Sequence, residues 1–368
     1  MKLADLPTPC LVLERGVLRR NIAGMQAALA RHGVPLRPHM KTAKSIDVAR
    51  LALAGQPGGI TVSTLAEARY FAEHGVRDIL YAAGITPRKL EAVVALNRAG
   101  ADVAVITDDE EMAGRIGTHP APPRALIEVD TGEHRGGVGP EDSALLEIAA
   151  RLGPALIGVM THAGHSYAGR TVADMANYAA TERAGIVRAA ERLRGAGFRC
   201  DIVSMGSSPT ALHAADLAGV TEVRAGVYMF GDLFQAEICT HGLDDIAVTV
   251  LTSVIGRRPA ENRVLVDAGA IALSKDRSTE AVAKDYGFGR VLDAAGRASL
   301  GDAMVVRTYQ EHGVVQGDAS MPLAGLRVGD LLRIAPNHTC LTVAQHECYH
   351  VVDGGDDVVA VWPRVNGW

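Results

Sequence analysis

Lys41 stands in the stretch Arg37-Pro38-His39-Met40-Lys41-Thr42-Ala43-Lys44, behind an amphipathic helical segment. A lysine at the end of a short extended segment can form a Schiff base with an aldehyde, provided desolvation or a neighbouring cation keeps its amine neutral. Taken alone, such a lysine is more often a solvated surface charge. Its companions decide: His162, the Gly206-Ser207-Ser208 turn, Gly226-Val227-Tyr228, and the cations Arg135 and Arg224. Pro336-Asn337-His338-Thr339-Cys340 carries a second kind of chemistry. On a strand, residues i and i+2 share a face. His338 and Cys340 then offer one ion a nitrogen and a thiolate, a pair suited to zinc. Two ligands are fewer than the three usual at a catalytic zinc, so water and substrate complete the shell. The plain alternative is a buried cysteine beside a capping histidine. His346, Cys348 and His350 alternate on a further expected strand, as a rival ligand set or a partly exposed face, and Gln310-Glu311-His312-Gly313 is a polar cluster without an assigned use.

The elements that must position these residues follow from hydrophobic pattern. Unalternating apolar runs over Val34–Lys41, Gly59–Ser63, Asp78–Ala82, Asp102–Ile106, Arg124–Glu128, Leu156–Thr161, Ile202–Met205 and Glu222–Tyr228 read as parallel strands buried on both faces. Helical stretches separate most of them: Ser45–Leu53, Leu65–Glu73, Pro87–Ala99, Asp108–Gly117, Asp142–Leu152 and Asp174–Gly195. Eight such units fit a (β/α)8 TIM-type barrel, with a doubly wound open sheet as the alternative. Beyond Asp232 come Val-, Ile- and Thr-rich runs at Ile246–Ile255, Arg263–Val266, Ala303–Thr308, Leu331–Ile334 and Val358–Val361, parted by Gly and Asp turns. They predict a smaller, mainly antiparallel β domain, which the extended Leu3–Leu13 can join. The expected division is a barrel over residues 14–235 and a β domain of residues 1–13 plus 236–368.

In such a barrel the strand C-termini carry the active site, and a phosphate commonly sits in the loops after strands 7 and 8. Lys41, His162, Met205-Gly206-Ser207-Ser208 and Ala225-Gly226-Val227-Tyr228 then converge on one rim, although strand-end Ser and Thr also serve as plain helix caps. Glycine lets the backbone approach a phosphate closely. A phosphate site beside a Schiff-base lysine points to pyridoxal 5'-phosphate (PLP). Arg135 can hold the phenolic oxygen of that cofactor, or lie as a surface arginine on its glycine loop. Arg224 can face the pyridine nitrogen, or form an ordinary salt bridge with Glu222 or Asp201.

Composition narrows the class. The chain has 368 residues, 48% hydrophobic and 21% charged, enough for a sizeable core, with formal net charge -5. There is no basic stripe for nucleic acid, no polybasic segment for a membrane surface and no apolar run long enough to span one. The N-terminus lacks the apolar core of a signal peptide. Five scattered cysteines make no disulfide framework, so a cytoplasmic location is expected.

These motifs together resemble the D-serine dehydratase-like group of fold-type III PLP enzymes, whose N-terminal barrel is related to alanine racemase. The group also holds D-threo-3-hydroxyaspartate dehydratase and D-threonine aldolase. The likeness runs from Thr8-Pro9-Cys10-Leu11-Val12 through Arg37–Thr42, Thr161-His162-Ala163-Gly164-His165-Ser166-Tyr167 and Glu222–Tyr228. It continues in Val266-Asp267-Ala268-Gly269, Gln310–Gly313 and Pro336–Cys340. The resemblance implies that Lys41 bears the cofactor and that Gly206, Ser207, Ser208, Gly226, Val227 and Tyr228 bind its phosphate. His162 and Tyr167 then line the pocket, Arg135 contacts the phenolic oxygen, and His338 and Cys340 hold zinc or another divalent ion such as Mn2+ or Co2+. It also implies a homodimer with the active site at the subunit interface. Dehydratases of the group resemble this chain in carrying His-x-Cys, where the aldolases carry His-x-Asp. The expected function is therefore elimination of water from a D-β-hydroxy amino acid, namely D-serine, D-threonine or D-threo-3-hydroxyaspartate. The alternatives are a D-threonine aldolase, an amino-acid racemase and a non-catalytic PLP-binding protein. A second carboxylate on the substrate asks for a further cation, with Arg37, His134, His165 and Lys275 as candidates.

Overall fold

The computed structural model describes residues 1–318 and 323–368. Chain contacts divide it into two units, Ala23–Gly226 with Gly367–Trp368, and Met1–Ile22 with Val227–Asn366.

The unalternating runs form strands because both their faces are covered. After β1 (Cys10–Glu14), which belongs to the other unit, come β2 (Leu36–Pro38), β3 (Ile60–Val62), β4 (Asp78–Gly84) and β5 (Asp102–Thr107). β6 (Ala125–Glu128), β7 (Leu156–Met160), β8 (Ile202–Met205) and β9 (Glu222–Ala225) follow. All neighbours pair in parallel, in the order β2-β9-β8-β7-β6-β5-β4-β3. The ends of the row meet through a bridge between His39 and Thr61, where the Met40 N–H donates to the Thr61 carbonyl at 2.8 Å. This is a nearly closed eight-stranded barrel, not an open sheet. The crossovers that parallel pairing demands are helical, among them Ile46–Leu53, Leu65–Glu73, Pro87–Arg98, Glu110–Gly117, Ala144–Leu152 and the long Val172–Gly195. Thr64, Asp109 and Thr171 cap three of them through side-chain oxygens.

Period-two alternation sorts the barrel residues. Tyr81 points outward, its hydroxyl taking a bond from Lys89 on the helix Pro87–Arg98 at 2.9 Å. The alternate face turns to the barrel axis and is divided. On one side Leu80, Ala104, Ile106, Leu126, Ile157 and Met160 form an apolar cluster. On the other, charged groups fill the strand N-termini. Arg37 donates to Glu222 at 2.8 Å and to Asp78 at 2.8 Å, and Arg124 reaches Asp78 at 3.4 Å and Asp102 at 2.7 Å. The network climbs toward the rim as Ser204 Oγ donates to Glu222 at 2.6 Å and Arg224 donates to Ser204 Oγ at 2.6 Å.

The other unit holds β10 (Val248–Arg258), β11 (Arg263–Val266), β12 (Arg290–Asp293), β13 (Met304–Thr308), β14 (Gly313–Gln316), β15 (Leu331–Ala335), β16 (Cys348–Val352) and β17 (Ala360–Pro363). β10 shifts register between Val254 and Gly256. Its first part pairs with β1 and β15, its last part with β11. The ring β10-β11-β14-β13-β12-β15 closes as a six-stranded antiparallel barrel, and β1, β16 and β17 extend from β10. Leu3, Leu6, Cys10, Val12, Leu251 and Val352 pack beneath that extension. The N-terminal stretch is only partly extended: Leu3–Asp5 is a 3-10 turn, because the Asp5 carboxylate takes the Lys2 N–H at 2.8 Å. Extension begins at Cys10, after a cis Thr8–Pro9 bond. Among the described residues no helix is long and apolar enough to cross a membrane.

Candidate active site

The barrel rim is built from strand ends that pin one another. β2 stops at Pro38, where the His39 N–H donates to the Ala225 carbonyl at 2.8 Å and Met40 is held on β3. Lys41 follows, exposed at the rim. The turn closes as Lys44, in a left-handed conformation (φ 49°), donates its N–H to the Met40 carbonyl at 2.8 Å. Lys44 Nζ lies 3.4 Å from the fully buried Glu67, whose other oxygen takes the Ser63 N–H at 3.3 Å. The Lys41 turn is thereby tied to the end of the next strand.

His162 follows β7 and donates from Nδ1 to the Gly206 carbonyl at 2.9 Å, which leaves Nε2 as the unprotonated nitrogen. Gly206 sits at φ 133°, and a Cβ there would lie 2.3 Å from the Arg224 carbonyl oxygen, so this turn admits only glycine. Ser207 caps the short helix Ser208–His213 through Thr210. Gly226 is equally confined, since a Cβ would come within 2.7 Å of the His39 carbonyl. Val227 and Tyr228 continue the chain in a buried 3-10 turn of the second unit. Tyr167 lies half-buried in the 3-10 turn Gly164–Ala168.

The charges of the rim act together. Burial, then Lys41, hold His162 down at about 3, with Arg135 and Arg224 adding to the effect. Burial, Lys41, Arg224 and His162 push His39 well below the ordinary histidine range. Both rings are therefore neutral in a positive potential. Arg224 is fully buried and donates to neutral acceptors, Ser204 Oγ and the Thr161 carbonyl. It makes no direct ion pair with Glu222, which is taken by Arg37, or with Asp201, which is taken by Arg199. Arg135 is exposed, 3.5 Å from Glu133 and 3.9 Å from Glu128. Burial raises the Glu128 carboxyl against the pull of Arg135, with Asp108 helping.

Of the four cations considered for a substrate carboxylate, Arg37 is committed at the strand N-termini, away from the rim. His134 pairs with Asp130 at 2.8 Å, and His165 stacks edge-on to Tyr178. Lys275 is exposed on the second unit.

His338 and Cys340 lie in that second unit, and not on a strand. β15 ends at Ala335, and the Asn337 side chain binds the Asp276 and Gly287 carbonyls and accepts from Thr279, which turns the chain. His338 is the N-cap of a one-turn helix, Thr339–Thr342, that carries Cys340. The helical turn still brings the thiol to the imidazole. His338 Nδ1 lies 3.6 Å from Asp276. Burial opposes its protonation, yet Asp276, Cys340 and Asp232 raise the ring to about 11. Burial likewise pushes Asp276 up, but His338 and Ser278 outweigh it and hold it at about 2. Burial lifts Asp232, which caps the helix Leu233–Glu237, to about 6. Two carboxylates and a thiol thus gather around one imidazole. Among the described residues no three His, Cys, Asp or Glu side chains form a ready-made metal cluster. His346 and His350 each bond one ring nitrogen to a backbone carbonyl, of Ala272 and Leu11, and among the described residues they gather into no three-ligand group with Cys348.

Sequence reasoning assigned no role to His39, Glu182 or Asp276. Glu182 carried a legible signal, since it falls on the buried stripe Met175, Ala179, Ile186, Ala189 and Leu193 of its helix. Nothing in the spacing marks Asp276, which the fold delivers from sixty residues upstream.

The parallel barrel thus carries Lys41 on its rim and the antiparallel barrel carries His338 and Cys340, and comparison gives the family. The alanine racemase N-terminal domain matches residues 14–233, and the serine dehydratase domain matches residues 247–352. D-threo-3-hydroxyaspartate dehydratase of Delftia sp. (strain HT23) is 43% identical over 100% of this chain and 99% of its own. D-serine dehydratase of Dictyostelium discoideum is 30% identical over 99% and 98%. The solved Delftia enzyme superposes with a TM-score of 0.96 at 41% identity, covering 100% of both chains, and its cysteine-to-alanine variant has been solved in the metal-free form at the same TM-score. The chain belongs to the family that joins an alanine racemase N-terminal domain to a serine dehydratase domain. Family membership over the whole length makes it a PLP-dependent lyase.

Proposed function

We propose that the protein eliminates water from a D-β-hydroxy amino acid to give a 2-oxo acid and ammonia, with D-threo-3-hydroxyaspartate the preferred substrate over D-threonine and D-serine. The observation that carries this reading is the full-length 43% identity to the Delftia dehydratase, together with the His338–Cys340 corner in the same chain.

The rim fits a phosphorylated aldehyde cofactor. Burial, with the cations Lys41 and Arg224 adding to it, keeps two histidines neutral there, and its two glycine turns are places where no Cβ fits. Lys41 would carry PLP, Gly206, Ser207, Ser208, Gly226, Val227 and Tyr228 would receive the phosphate, and Arg135 would meet the phenolic oxygen. His162 and Tyr167 would line the pocket, and Arg224, fully buried and cationic, would face the ring nitrogen. When bound, PLP supplies an electron sink for the charge left at Cα. Nζ of Lys41 would take the Cα proton. Neutral His162 adds no positive charge next to that amine, and its Nδ1–H bond to Gly206 fixes the orientation of the ring. The second corner fits a divalent ion. His338 and Cys340 would hold it, as zinc or as Mn2+ or Co2+, with Lewis acidity toward the β-hydroxyl as its contribution. The assembly proposed is a homodimer with the active site at the subunit interface. Its expected mass is about twice 38.6 kDa, which light scattering reads directly.

The test incubates the PLP- and zinc-loaded protein with D-threo-3-hydroxyaspartate, D-threonine and D-serine and identifies the products. Ammonia with oxaloacetate, 2-oxobutyrate or pyruvate supports elimination. Glycine with an aldehyde replaces the reading by retro-aldol cleavage. Lys41→Ala is expected to abolish turnover and the visible cofactor band; normal turnover by that variant refutes the role of Lys41.

A further inference from the structure

Glu182 lies on the helix Val172–Gly195, between the barrel strands and solvent, and is completely buried. Its Oε1 accepts two backbone N–H groups, from Ala163 at 3.1 Å and from Gly206 at 2.9 Å. The first belongs to the loop after β7, one residue beyond His162. The second opens the turn after β8. The Thr210 hydroxyl, which accepts the Ser207 N–H at 3.0 Å, faces the same carboxylate. Two further bonds join the same two segments: His162 Nδ1 to the Gly206 carbonyl, and Ser166 Oγ to Ser207 Oγ at 2.9 Å. One side chain from a third element thus sits where the loops converge.

We propose that Glu182 is a positioning residue, whose single oxygen locks the His162 loop and the Gly206–Ser208 turn into one phosphate-receiving arrangement. The inference rests on the PLP reading given above. A residue needs a carboxylate-type acceptor here because two buried amides point at the same spot, and an unmet buried N–H is costly. Gly206 cannot swing to find another partner, since its turn is pressed onto the Arg224 backbone with no room even for a methyl group. Losing the acceptor therefore moves the turn as a whole. The phosphate reads that turn, whereas the aldehyde carbon reads only Lys41. Glu182 should accordingly matter for PLP and hardly at all for pyridoxal, which lacks the phosphate.

The test compares Glu182→Gln and Glu182→Leu by absorbance titration of the cofactor-stripped protein with PLP and with pyridoxal. Glutamine keeps an acceptor oxygen of the same reach and should bind both much as the wild type does. Leucine should weaken PLP by about tenfold or more, as expected when two buried N–H groups lose their acceptor, and leave pyridoxal within about twofold. Leucine protein that binds PLP normally, or that loses PLP and pyridoxal alike, overturns the proposal. Should the leucine variant fail to fold, amide hydrogen exchange in the wild type decides. Slow exchange at Ala163 and Gly206 is expected, and fast exchange at either overturns the lock. A wild type that binds no PLP at all sinks the cofactor reading instead.

Discussion

Arg37 offers the sharpest test of how the barrel is held together. Its side chain is 7% exposed and spans β2, β3, β4 and β9: Nε donates to Glu222 at 2.8 Å, Nη2 to Asp78 at 2.8 Å and Nη1 to the Ile60 carbonyl at 3.3 Å. Arg37→Met keeps most of the stem volume and removes the charge. The two carboxylates then fare differently. Asp78 is 40% exposed and keeps Arg124 and the Gly59 N–H, so its loss is that of a surface pair, about 0–1 kcal/mol. Glu222 is 11% exposed and keeps only the Ser204 hydroxyl as a hydrogen-bond donor among the described residues, so it becomes a buried charge with no directly paired cation, Arg224 lying beyond Ser204. Breaking such a pair costs about 3–5 kcal/mol. Urea denaturation at neutral pH should show a loss of that size with an unchanged slope. Adding Glu222→Gln should return about 2 kcal/mol, because the stranded group is then neutral. Because Arg37 faces the strand N-termini, KM for the amino-acid substrate should stay put. A loss under about 1 kcal/mol, no recovery in the double variant, or a KM raised tenfold each refutes the reasoning.

Other substitutions probe the rim and the corner. Gly206→Ala forces a Cβ to within 2.3 Å of a backbone oxygen at φ 133°, so PLP affinity should fall by about tenfold or more while the far-ultraviolet dichroism is kept; unchanged affinity argues against that turn as the phosphate seat. Cys340→Ala should lose bound metal by elemental analysis and slow elimination by at least about tenfold, and full activity after thorough metal removal ends the metal role. Acid stability follows from the neutral, half-buried histidines of the rim. His162 falls from 6.5 in the unfolded chain to about 3, so its contribution is complete above pH 6.5 and is lost as pH falls toward 3, by up to roughly 4 kcal/mol. Burial raises Glu182 from 4.5 to about 7, so its contribution is complete below 4.5 and is lost as pH rises toward 7, opposing the histidine slope between 4.5 and 6.5. Below 4.5 the histidine effect stands clear of Glu182, and His162→Gln should flatten that limb in a pH series of thermal melts; an equally steep limb contradicts a neutral His162.

The barrel was legible because its strands are short apolar runs bounded by helical periods: six of the eight fall within their expected runs, while β4 runs on to Gly84 and β5 to Thr107. The second unit was harder. β12 and β14 are four residues each and half-exposed, with Gly313 opening β14, so they lack the dense branched run that marked β10 or β15. His338 and Cys340 were found by residue type, but the strand offered as their geometry is a helical turn, made when Asn337 bonds to loops some fifty to sixty residues upstream. Asn337 shows nothing locally of those bonds. Arg224 shows the same limit. Its sequence neighbours suggest a salt bridge to Glu222, while Arg37, nearly two hundred residues upstream, takes that carboxylate. Pattern reveals which face a residue occupies, and tertiary pairing decides what it meets there.

The place of β1 has a consequence for biosynthesis. It lies between β10 and β16, antiparallel to one and parallel to the other, with Leu11, Val12 and Leu13 fully buried. Among the described strands it is also the earliest to leave the ribosome. About 330 residues separate Glu14 from Cys348, roughly twenty seconds to a minute of translation at ordinary rates. Through that interval a strongly apolar strand waits for its parallel partner β16, joined only late by β10, once the parallel barrel has been made. In this unit, manufacture and assembly run in opposite directions: the earliest strand completes its pairing only when the last strands emerge.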